Sequence, residues 1–351
     1  MARQPVRRPI LLPTVRRLWR DHRRLQVGTD PGRAVVLELA DPLQARLLDL
    51  LDGTHTERAL VRAARHAGIP PGEASALLAA LTSAGYVVDV HALQIARATE
   101  ATRRRLATET SALALRDPRP NAVMRRRLQA QVLVTGASRL AVPIASILAA
   151  SGVAGVHTDC SGVARLSDAT PAGLLPGDAH RPRGVAAADA LRRVAPELDV
   201  TQVRRGSASF VVLVGFSAPA NLTAFSYGSR RLAHLAVSVR DGTVVVGPLV
   251  RPGESPCLNC LDLHRADLDP DWQAVAAQLQ TSPEVAEPLA ATTALAAAAF
   301  AAHDVLTHID GGLPATLGAT VEIAEPGRST RRQWGQHPSC GCRRRARRRL
   351  A

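Results

Sequence analysis

Residues 246–265 read VGPLVRPGESPCLNCLDLHR, and this stretch decides how the chain is organised. It contains a Cys-x-x-Cys pair, Cys257 and Cys260. A second pair, Cys340 and Cys342, stands near the C-terminus inside the sequence HPSCGC. Two close thiol pairs far apart in sequence are typical of a tetrahedral zinc site, because each turn presents two sulfurs to one ion. We therefore predict a structural zinc ion held by these four cysteines. Unrelated or redox-active thiol pairs are the alternative.

The composition describes a globular chain with a strong positive charge. Of its 351 residues 46% are hydrophobic and 21% are charged, so it can bury a sizeable core and form two domains. The formal net charge is +14, and because the sequence contains no lysine, all 44 basic side chains are arginines. This excludes lysine chemistry such as Schiff-base formation. The charge favours an anionic partner: nucleic acid, a membrane surface or an acidic peptide.

The apolar runs are those of a soluble protein. The longest, 290–302, is too short to span a bilayer and contains two threonines, and the sequence begins without a signal-peptide pattern. We therefore expect a cytoplasmic protein, a compartment in which thiols stay reduced and available to a metal ion. The Arg-rich tail, 343–351, is interpreted as a solvated end, with nucleic acid as the alternative partner.

Residues 1–95 are predicted to form a small winged-helix-like α+β domain. Apolar runs at 25–27 and 34–39 flank Asp30-Pro31-Gly32, which predicts a hairpin. Helical stripes follow, with Thr56 as the N-cap of the second helix and glycines after the second and third. These helices are predicted at 42–51, 56–67 and 73–84, before a closing strand at 86–90. Residues 96–127 are rich in arginine and alanine, and we expect a linker with some helix.

A dinucleotide-type motif opens the second domain, predicted over 128–342. A strand at 131–135, a glycine turn, a helix at 143–151 and a strand ending at Asp159 have the expected order and spacing. The pattern Gly-x-Gly-x-x-Gly is reduced to Gly136, Ser138 and Ala141. The first glycine still permits the tight turn, whereas Ser138 puts a side chain where backbone should approach phosphate. Gly136, Ser138 and Asp159 therefore mark a degenerate nucleotide site.

The remaining elements predict an α/β fold. Strands alternate with helices, which indicates a Rossmann-like, doubly wound, mostly parallel sheet. The further strands are predicted at 200–203, 209–214, 234–239, 243–246 and 317–323, and the further helices at 185–194 and 292–306.

Two segments carry a resemblance to a known family. Residues 244–272, VVVGPLVRPGESPCLNCLDLHRADLDPDW, together with HPSCGC at 337–342, resemble the ThiF-like adenylyltransferases, relatives of ubiquitin-activating enzymes that bind zinc through four cysteines. More narrowly they are similar to the ThiF-like proteins of thiazole/oxazole-modified peptide biosynthesis. The N-terminal sequences LLDGTHT and ALTSAGYVVD resemble PqqD-like domains, which hold a leader peptide as an added strand. The resemblance implies a leader-peptide partner, a YcaO cyclodehydratase partner and a homodimer.

The chain departs from the adenylating members at their ATP residues. A second acid is replaced by Ser161, the lysine that opens the next helix by Val185, and the acid after the fourth strand by the sequence Gly215-Phe216-Ser217. Adenylation needs Mg²⁺ and cations to offset charge on the phosphates, and that stabilisation has no visible source here. Arginines near the motif are the candidates to replace the lysine: Arg139, Arg165, Arg181 and Arg183.

Three functions follow from these observations. The first is a non-adenylating ThiF-like scaffold that binds a precursor peptide and presents it to a partner enzyme such as a YcaO cyclodehydratase. The second is an ATP- and Mg²⁺-dependent adenylyltransferase that activates a peptide or carrier-protein carboxylate. The third is a nucleic-acid-binding winged-helix protein. We expect Cys160, at a strand end, to be a half-buried structural residue with catalysis as its alternative, and His337 to support the zinc site without ligating it.

Overall fold

The computed structural model describes residues 6–96, 98–198, 207–215, 219–281 and 287–342. The chain divides into two compact units, residues 1–125 and 126–351. The predicted strand at 200–203 and the Arg-rich tail lie outside the described residues. No helix in the described ranges combines the length and apolar character needed to cross a membrane.

The first unit is the predicted small α+β domain. Its elements are β1 (Pro9–Leu11), β2 (Arg17–Trp19), β3 (Arg24–Val27), β4 (Val35–Glu38), a 3₁₀ helix (Pro42–Leu50), α1 (Glu57–His66), α2 (Pro71–Ala84), β5 (Val87–Asp89), a 3₁₀ helix (Val90–Leu93), α3 (Glu100–Arg105) and α4 (Ala107–Ala114). Strands β2, β3 and β4 form one antiparallel sheet, and β1 pairs with β5 in another. Residues 96–127, expected to be a linker, thus carry α3, α4 and the start of a further helix.

Local signals explain the helix ends of this unit. Thr56 has extended backbone angles, and its hydroxyl accepts a hydrogen bond from Ala59 N at 3.3 Å, so it is the N-cap that the sequence predicted. Gly85 adopts φ +82° and ends α2 in the left-handed conformation that glycine favours. The core lies between the β3–β4 hairpin and the helices, where Leu25, Val27 and Leu81 are buried.

The second unit is the Rossmann-like α/β domain. Its elements are α5 (Pro120–Gln129), which begins in the first unit, β6 (Gln131–Thr135), α6 (Ala141–Ala150), β7 (Gly155–Asp159), 3₁₀ helices at Leu166–Asp168 and Pro176–Asp178, α7 (Arg183–Val194), β8 (Phe210–Val214), α8 (Ala220–Ser229), β9 (Ala233–Arg240), β10 (Thr243–Val250), α9 (Leu258–Leu268), α10 (Trp272–Thr281), α11 (Ala291–Ile309), β11 (Ala319–Glu325) and β12 (Arg328–Gln333). The predicted fold class is confirmed.

One seven-stranded sheet organises this unit, in the order β12-β11-β10-β9-β8-β6-β7. The pairs from β7 to β9 are parallel, whereas those from β9 to β12 are antiparallel. Helices α6, α7 and α11 cover one face, and α8, α9 and α10 the other. On α11 the alanines that recur every three or four residues are buried, so the helix backbone approaches the sheet closely: Ala294, Ala297, Ala298, Ala301 and Ala302.

Candidate functional site

The four cysteines predicted as zinc ligands meet in the second unit. Cys257 precedes α9 as its N-cap, and Cys260 lies in the first turn of that helix. Cys340 and Cys342 follow β12. The sulfurs of all four lie within 4.8 Å of one another, and three of the four residues are buried. The return of the chain after β12 therefore brings the two sequence-distant pairs together.

The spacing of the sulfurs fits a tetrahedral ion. The Sγ atoms of Cys257 and Cys260 are 3.8 Å apart, those of Cys257 and Cys340 are 3.6 Å apart, and those of Cys260 and Cys342 are 3.4 Å apart. A zinc ion with zinc–sulfur bonds of about 2.3 Å places its ligands about 3.8 Å apart. A disulfide would need about 2.05 Å. The contact with the Cys260 sulfur raises the pKa of Cys257 to about 12, and a bound cation is what would allow all four thiolates to coexist.

Polar neighbours hold the cysteine cluster in place. Asn259 Nδ2 lies 3.3 Å from the Cys340 sulfur, where it can donate a hydrogen bond. The backbone N–H of Cys340 donates to His337 O at 3.0 Å. His337 Nδ1 accepts from Ser339 N at 3.1 Å, so its Nε2 carries the proton and donates to Asp267 at 2.9 Å. Both ring nitrogens of His337 are thus engaged in hydrogen bonds, to Ser339 N and to Asp267.

The glycine turn between β6 and α6 keeps its backbone geometry. Gly136 has φ +109°, and a Cβ atom there would overlap the carbonyl oxygen of Val214. Only glycine fits such a position without strain. The turn lies at the carboxyl ends of the parallel strands, the edge at which this class of sheet binds its ligands.

Two polar groups of this turn, the Ser138 hydroxyl and the Ala137 carbonyl oxygen, are hydrogen-bonded to side chains from other parts of the chain. The Ser138 hydroxyl donates to the carboxylate of Glu287, and Arg183 donates to the carbonyl oxygen of Ala137. Arg183 also pairs with Asp168 at 2.8 Å, and its side chain is only 5% exposed. Burial raises the pKa of Glu287 above its usual range. A half-buried carboxyl group and a paired arginine therefore stand beside the turn that would receive a phosphate.

The arginines proposed to replace the missing lysine are bonded within the protein. Arg139 donates to Leu289 O at 2.9 Å and to Ala169 O at 3.0 Å. Arg181 pairs with Asp178 and with Asp189, both at 2.5 Å. The helix that we expected to open at Val185 begins at Arg183, because Pro182 stands at its N-cap. Arginine is thus the residue at the helix opening.

Cys160 lies one residue beyond Asp159 and is buried. Burial raises the pKa of its thiol to about 11, so the thiolate is scarce at neutral pH. The thiol is therefore more deeply buried than the half-buried residue that was expected, and a buried thiol with a raised pKa is a weak nucleophile.

A cleft of about 630 Å³ opens on the face of the sheet below α8, α9 and α10. At one end it includes Gly136 and Asp159, so it reaches the degenerate nucleotide motif. At the other end it includes Arg240, Arg265 and Trp272. The guanidinium of Arg265 stacks over Trp272 at 4.9 Å and lies 3.5 Å from Asp262. Burial, with Arg240 nearby, lowers the pKa of Arg265 to about 10.

The sequence reading missed two parts of this region. Glu287 reaches Ser138 from 149 residues away, and no local pattern indicates such a pairing. The arginine end of the cleft had one signal: in β9 the residues Ala236, Ser238 and Arg240 alternate with the apolar residues Leu235, Val237 and Val239. That alternation places the three residues on one face of the sheet. The position of Arg265 opposite them follows only from the tertiary structure.

In the first unit, β4 is one of the two edge strands of a three-stranded sheet, and no described strand other than β3 pairs with it. Leu39 N donates to Arg23 O at 2.8 Å, which sets the alternation of hydrogen-bonded pairs between β3 and β4. By that alternation the backbone groups of Val36 and Glu38 face away from β3. Helix α2 packs near β4, and Val36 is 40% exposed. The edge could therefore receive one more strand beside a helix.

Comparison with known proteins supports the fold. The IclR helix-turn-helix domain family matches residues 45–91. No curated protein sequence matches the chain. E. coli MccB with ATP is similar, with a TM-score of 0.65 and 16% identity over 95% of this chain and 99% of that one. The microcin C7 biosynthetic enzyme MccB in complex with N-formylated MccA has a TM-score of 0.64 and 16% identity, again over 95% of this chain and 99% of that one. The heterocyclase TruD has a TM-score of 0.58 and 16% identity, and the match covers 98% of this chain and 44% of the TruD chain. At these identities the likeness establishes a shared fold.

Proposed function

We propose that this chain is a ThiF-like protein of peptide modification that binds a precursor peptide and presents it to a partner enzyme without adenylating the peptide itself. The observation that carries the proposal is the occupied glycine turn. Ser138 bonds Glu287, and Arg183 bonds Ala137 O and Asp168, so the hydroxyl of the turn and the arginine beside it are already engaged with other groups of the protein. A phosphate would have to displace them and approach a carboxyl group.

The peptide-binding half of the proposal rests on the outer edge of β4. An extended peptide that pairs with the outward backbone groups of Val36 and Glu38 would gain main-chain hydrogen bonds. Helix α2 would flank the added strand. The likeness to MccB, which has been seen in complex with the peptide MccA, supports a peptide as the ligand. The likeness to the heterocyclase TruD supports a partner that modifies peptides, such as a YcaO cyclodehydratase.

Zinc is the metal we propose for the cysteine cluster. The residues would be Cys257, Cys260, Cys340 and Cys342, and the ion would supply a structural cross-link with no open position for chemistry. The sulfur separations and the donor Asn259 support this assignment. The homodimer and the cytoplasmic location inferred from the sequence stay predictions.

A nucleic-acid function has one observation in its favour, the match to the IclR helix-turn-helix domain. The helix that would read bases is α2, with the sequence PGEASALLAALTSA. Base edges are read mainly by arginine, lysine, asparagine and glutamine, and α2 contains none of these. The proposal for peptide is therefore better supported. DNA binding with an affinity that falls steeply as salt rises would reverse this order.

Calorimetric titration with Mg-ATP tests the non-adenylating part. We expect no heat of binding at concentrations that would reveal millimolar affinity. Micromolar binding would favour the adenylyltransferase, for which the likeness to ATP-bound MccB is the supporting observation. Asp159→Asn would then be the next variant.

Titration with synthetic peptides from reading frames beside the gene tests the peptide part. Val36→Pro removes an outward N–H at an edge, where proline is tolerated in a sheet. We expect it to weaken peptide binding about tenfold, since an added strand loses a hydrogen bond and is crowded by the ring. Val36→Thr keeps both the N–H and the shape, and serves as the matched control. If the two variants bind the peptide equally well, β4 is excluded as the peptide-binding site.

A further inference from the structure

The cleft on the α8–α10 side of the sheet has a polar end that neither the zinc cluster nor the glycine turn uses. Its floor there is β9, where Ala236, Ser238 and Arg240 point to the same face, and its wall carries Arg265 and Trp272. Arg230, the C-cap residue of α8, also lines the cleft. The volume of about 630 Å³ lies within the range of sites that bind small ligands or peptide segments.

Among the residues that the structure describes, the guanidinium groups at this end are incompletely paired. Arg240 is 3.9 Å from Glu322, and Arg265 is 3.5 Å from Asp262. Both distances exceed the 2.7–2.9 Å of a charge-assisted hydrogen bond. A guanidinium has five N–H donors, so both side chains can bind a further acceptor. Arg265 is only 20% exposed, and two cations near each other in a shielded place favour an anion between them.

The rest of the lining selects the kind of anion. Most of the floor and wall is apolar, including Leu213, Leu258 and Leu261. Asp262 also lines the cleft beside Arg265, and would repel the multiple charges of a phosphate. A single carboxylate on a chain with apolar neighbours suits both features, because its one charge meets the arginines while its neighbours bury against the leucines.

We propose that Arg240 and Arg265 bind a side-chain carboxylate of an acidic peptide segment whose apolar neighbours fill the cleft. This rests on the proposed function, because it deepens the choice of a peptide as the ligand. It adds a second contact region in the second unit, separate from the β4 edge, and it specifies an acidic residue flanked by apolar ones. The overall charge of +14 favours the same class of ligand.

Calorimetry on the full chain with defined probes tests the proposal. The first probe is a terminally blocked peptide of alternating leucine and glutamate, and the second replaces each glutamate by glutamine. The third is inorganic phosphate. We expect the glutamate peptide to bind at least about tenfold more tightly than the glutamine peptide, and to weaken as salt rises. Phosphate should neither bind measurably nor displace the glutamate peptide at millimolar concentration.

Two variants locate the effect. Arg240→Gln, whose side chain is 37% exposed at the end of β9, should weaken binding of the glutamate peptide about tenfold and leave the glutamine peptide unchanged. Arg265→Gln should do the same, and melting curves would reveal any loss of folding at this more buried position. Arg328→Gln is the matched control, since it removes the same charge from an exposed side chain on β12 that does not line the cleft.

Each outcome decides the proposal. Equal affinity for the two peptides, or full binding by Arg240→Gln, would overturn it. Phosphate binding that depends on Arg240 without peptide binding would replace the peptide by a small free anion. If Val36→Pro loses binding of the glutamate peptide while Arg240→Gln binds it normally, the peptide contact lies at β4 and not in the cleft. A chain that captures a leader peptide yet ignores the probes would refute only the cleft, whereas the reverse result would refute the leader-peptide function.

Discussion

The glycine turn and the cysteine cluster of the second unit make an informative pair. Each was predicted from a short sequence motif, and each includes a turn between a strand and a helix. At the turn, the polar groups of Ser138 and Ala137 already have partners from the protein itself. In the cluster, four sulfurs converge at distances that suit an ion. The difference teaches that a short motif fixes the backbone of a turn, whereas the side chains that the fold brings to the turn decide which ligand it can take.

The largest expected effect is loss of the metal. Removal by a chelator, or Cys257→Ser, should lower the melting temperature by about 10 °C or more, because structural zinc contributes on the order of 10 kcal/mol to folding. Calorimetric melting with metal analysis measures this. Cys160→Ala, at a buried cysteine outside the cluster, is the control and should lower the melting temperature much less, because it neither removes a ligand nor buries a hydroxyl group. An unchanged melting curve after verified metal removal would contradict the zinc assignment.

Gly136→Ala tests the other member of the pair. The new Cβ would overlap Val214 O and would force a residue with a side chain to φ +109°, which should cost about 3 kcal/mol. Urea unfolding measures the loss. Gly184→Ala in α7 meets nothing nearer than 3.6 Å, so it should leave stability nearly unchanged. A harmless Gly136→Ala would mean that the turn no longer needs its glycine.

The pH dependence of stability should come partly from His234 on β9. Burial lowers the pKa of its imidazole from 6.5 to about 4. The unfolded chain therefore takes up a proton before the folded one does. Stability from this residue is complete above pH 6.5 and falls as the pH drops from there towards 4, by about 3 kcal/mol.

Urea unfolding across that pH range, with wild type and His234→Asn, measures the effect. The asparagine side chain can still donate to Leu232 O, which His234 Nδ1 contacts at 3.0 Å, and it does not titrate. Parallel pH profiles for the two proteins would exclude His234 as the source. A metal-loaded sample is needed, because protonation of the cysteines would otherwise obscure the comparison.

The smallest effect is expected from Glu287→Gln at the glycine turn. Burial raises the pKa of Glu287, so its ionised form costs stability at neutral pH. The glutamine keeps an acceptor for Ser138 and should stabilise the fold by about 1 kcal/mol or less at pH 7, with the gain vanishing in acid. Glu325→Gln, an exposed acid on β11, provides the control. Destabilisation at pH 7 would show that the charge itself supports the turn.

Several elements of the fold were predicted from the sequence because their signals are local. The β3–β4 hairpin follows from Asp30-Pro31-Gly32, and the start of α1 from Thr56. The predictions were incomplete where the partner is distant. The strand predicted at 86–90 forms over Val87–Asp89 and pairs with β1, a strand that the sequence did not predict. The second strand of the final hairpin, β12, was not expected either. Its residues are all exposed and polar, so no apolar alternation marked them.

By itself the sequence determined the α/β order of the second unit, its glycine turn and the four cysteines, because each depends on spacing and residue type within a short window. Only the tertiary structure decided which side chains from distant parts of the chain lie against those motifs. Glu287 against Ser138, Arg183 against Ala137, and Arg240 near Arg265 are brought together by the sheet order and by the return of the chain. Such contacts depend on packing between residues far apart in the chain, and packing leaves no local periodicity to read.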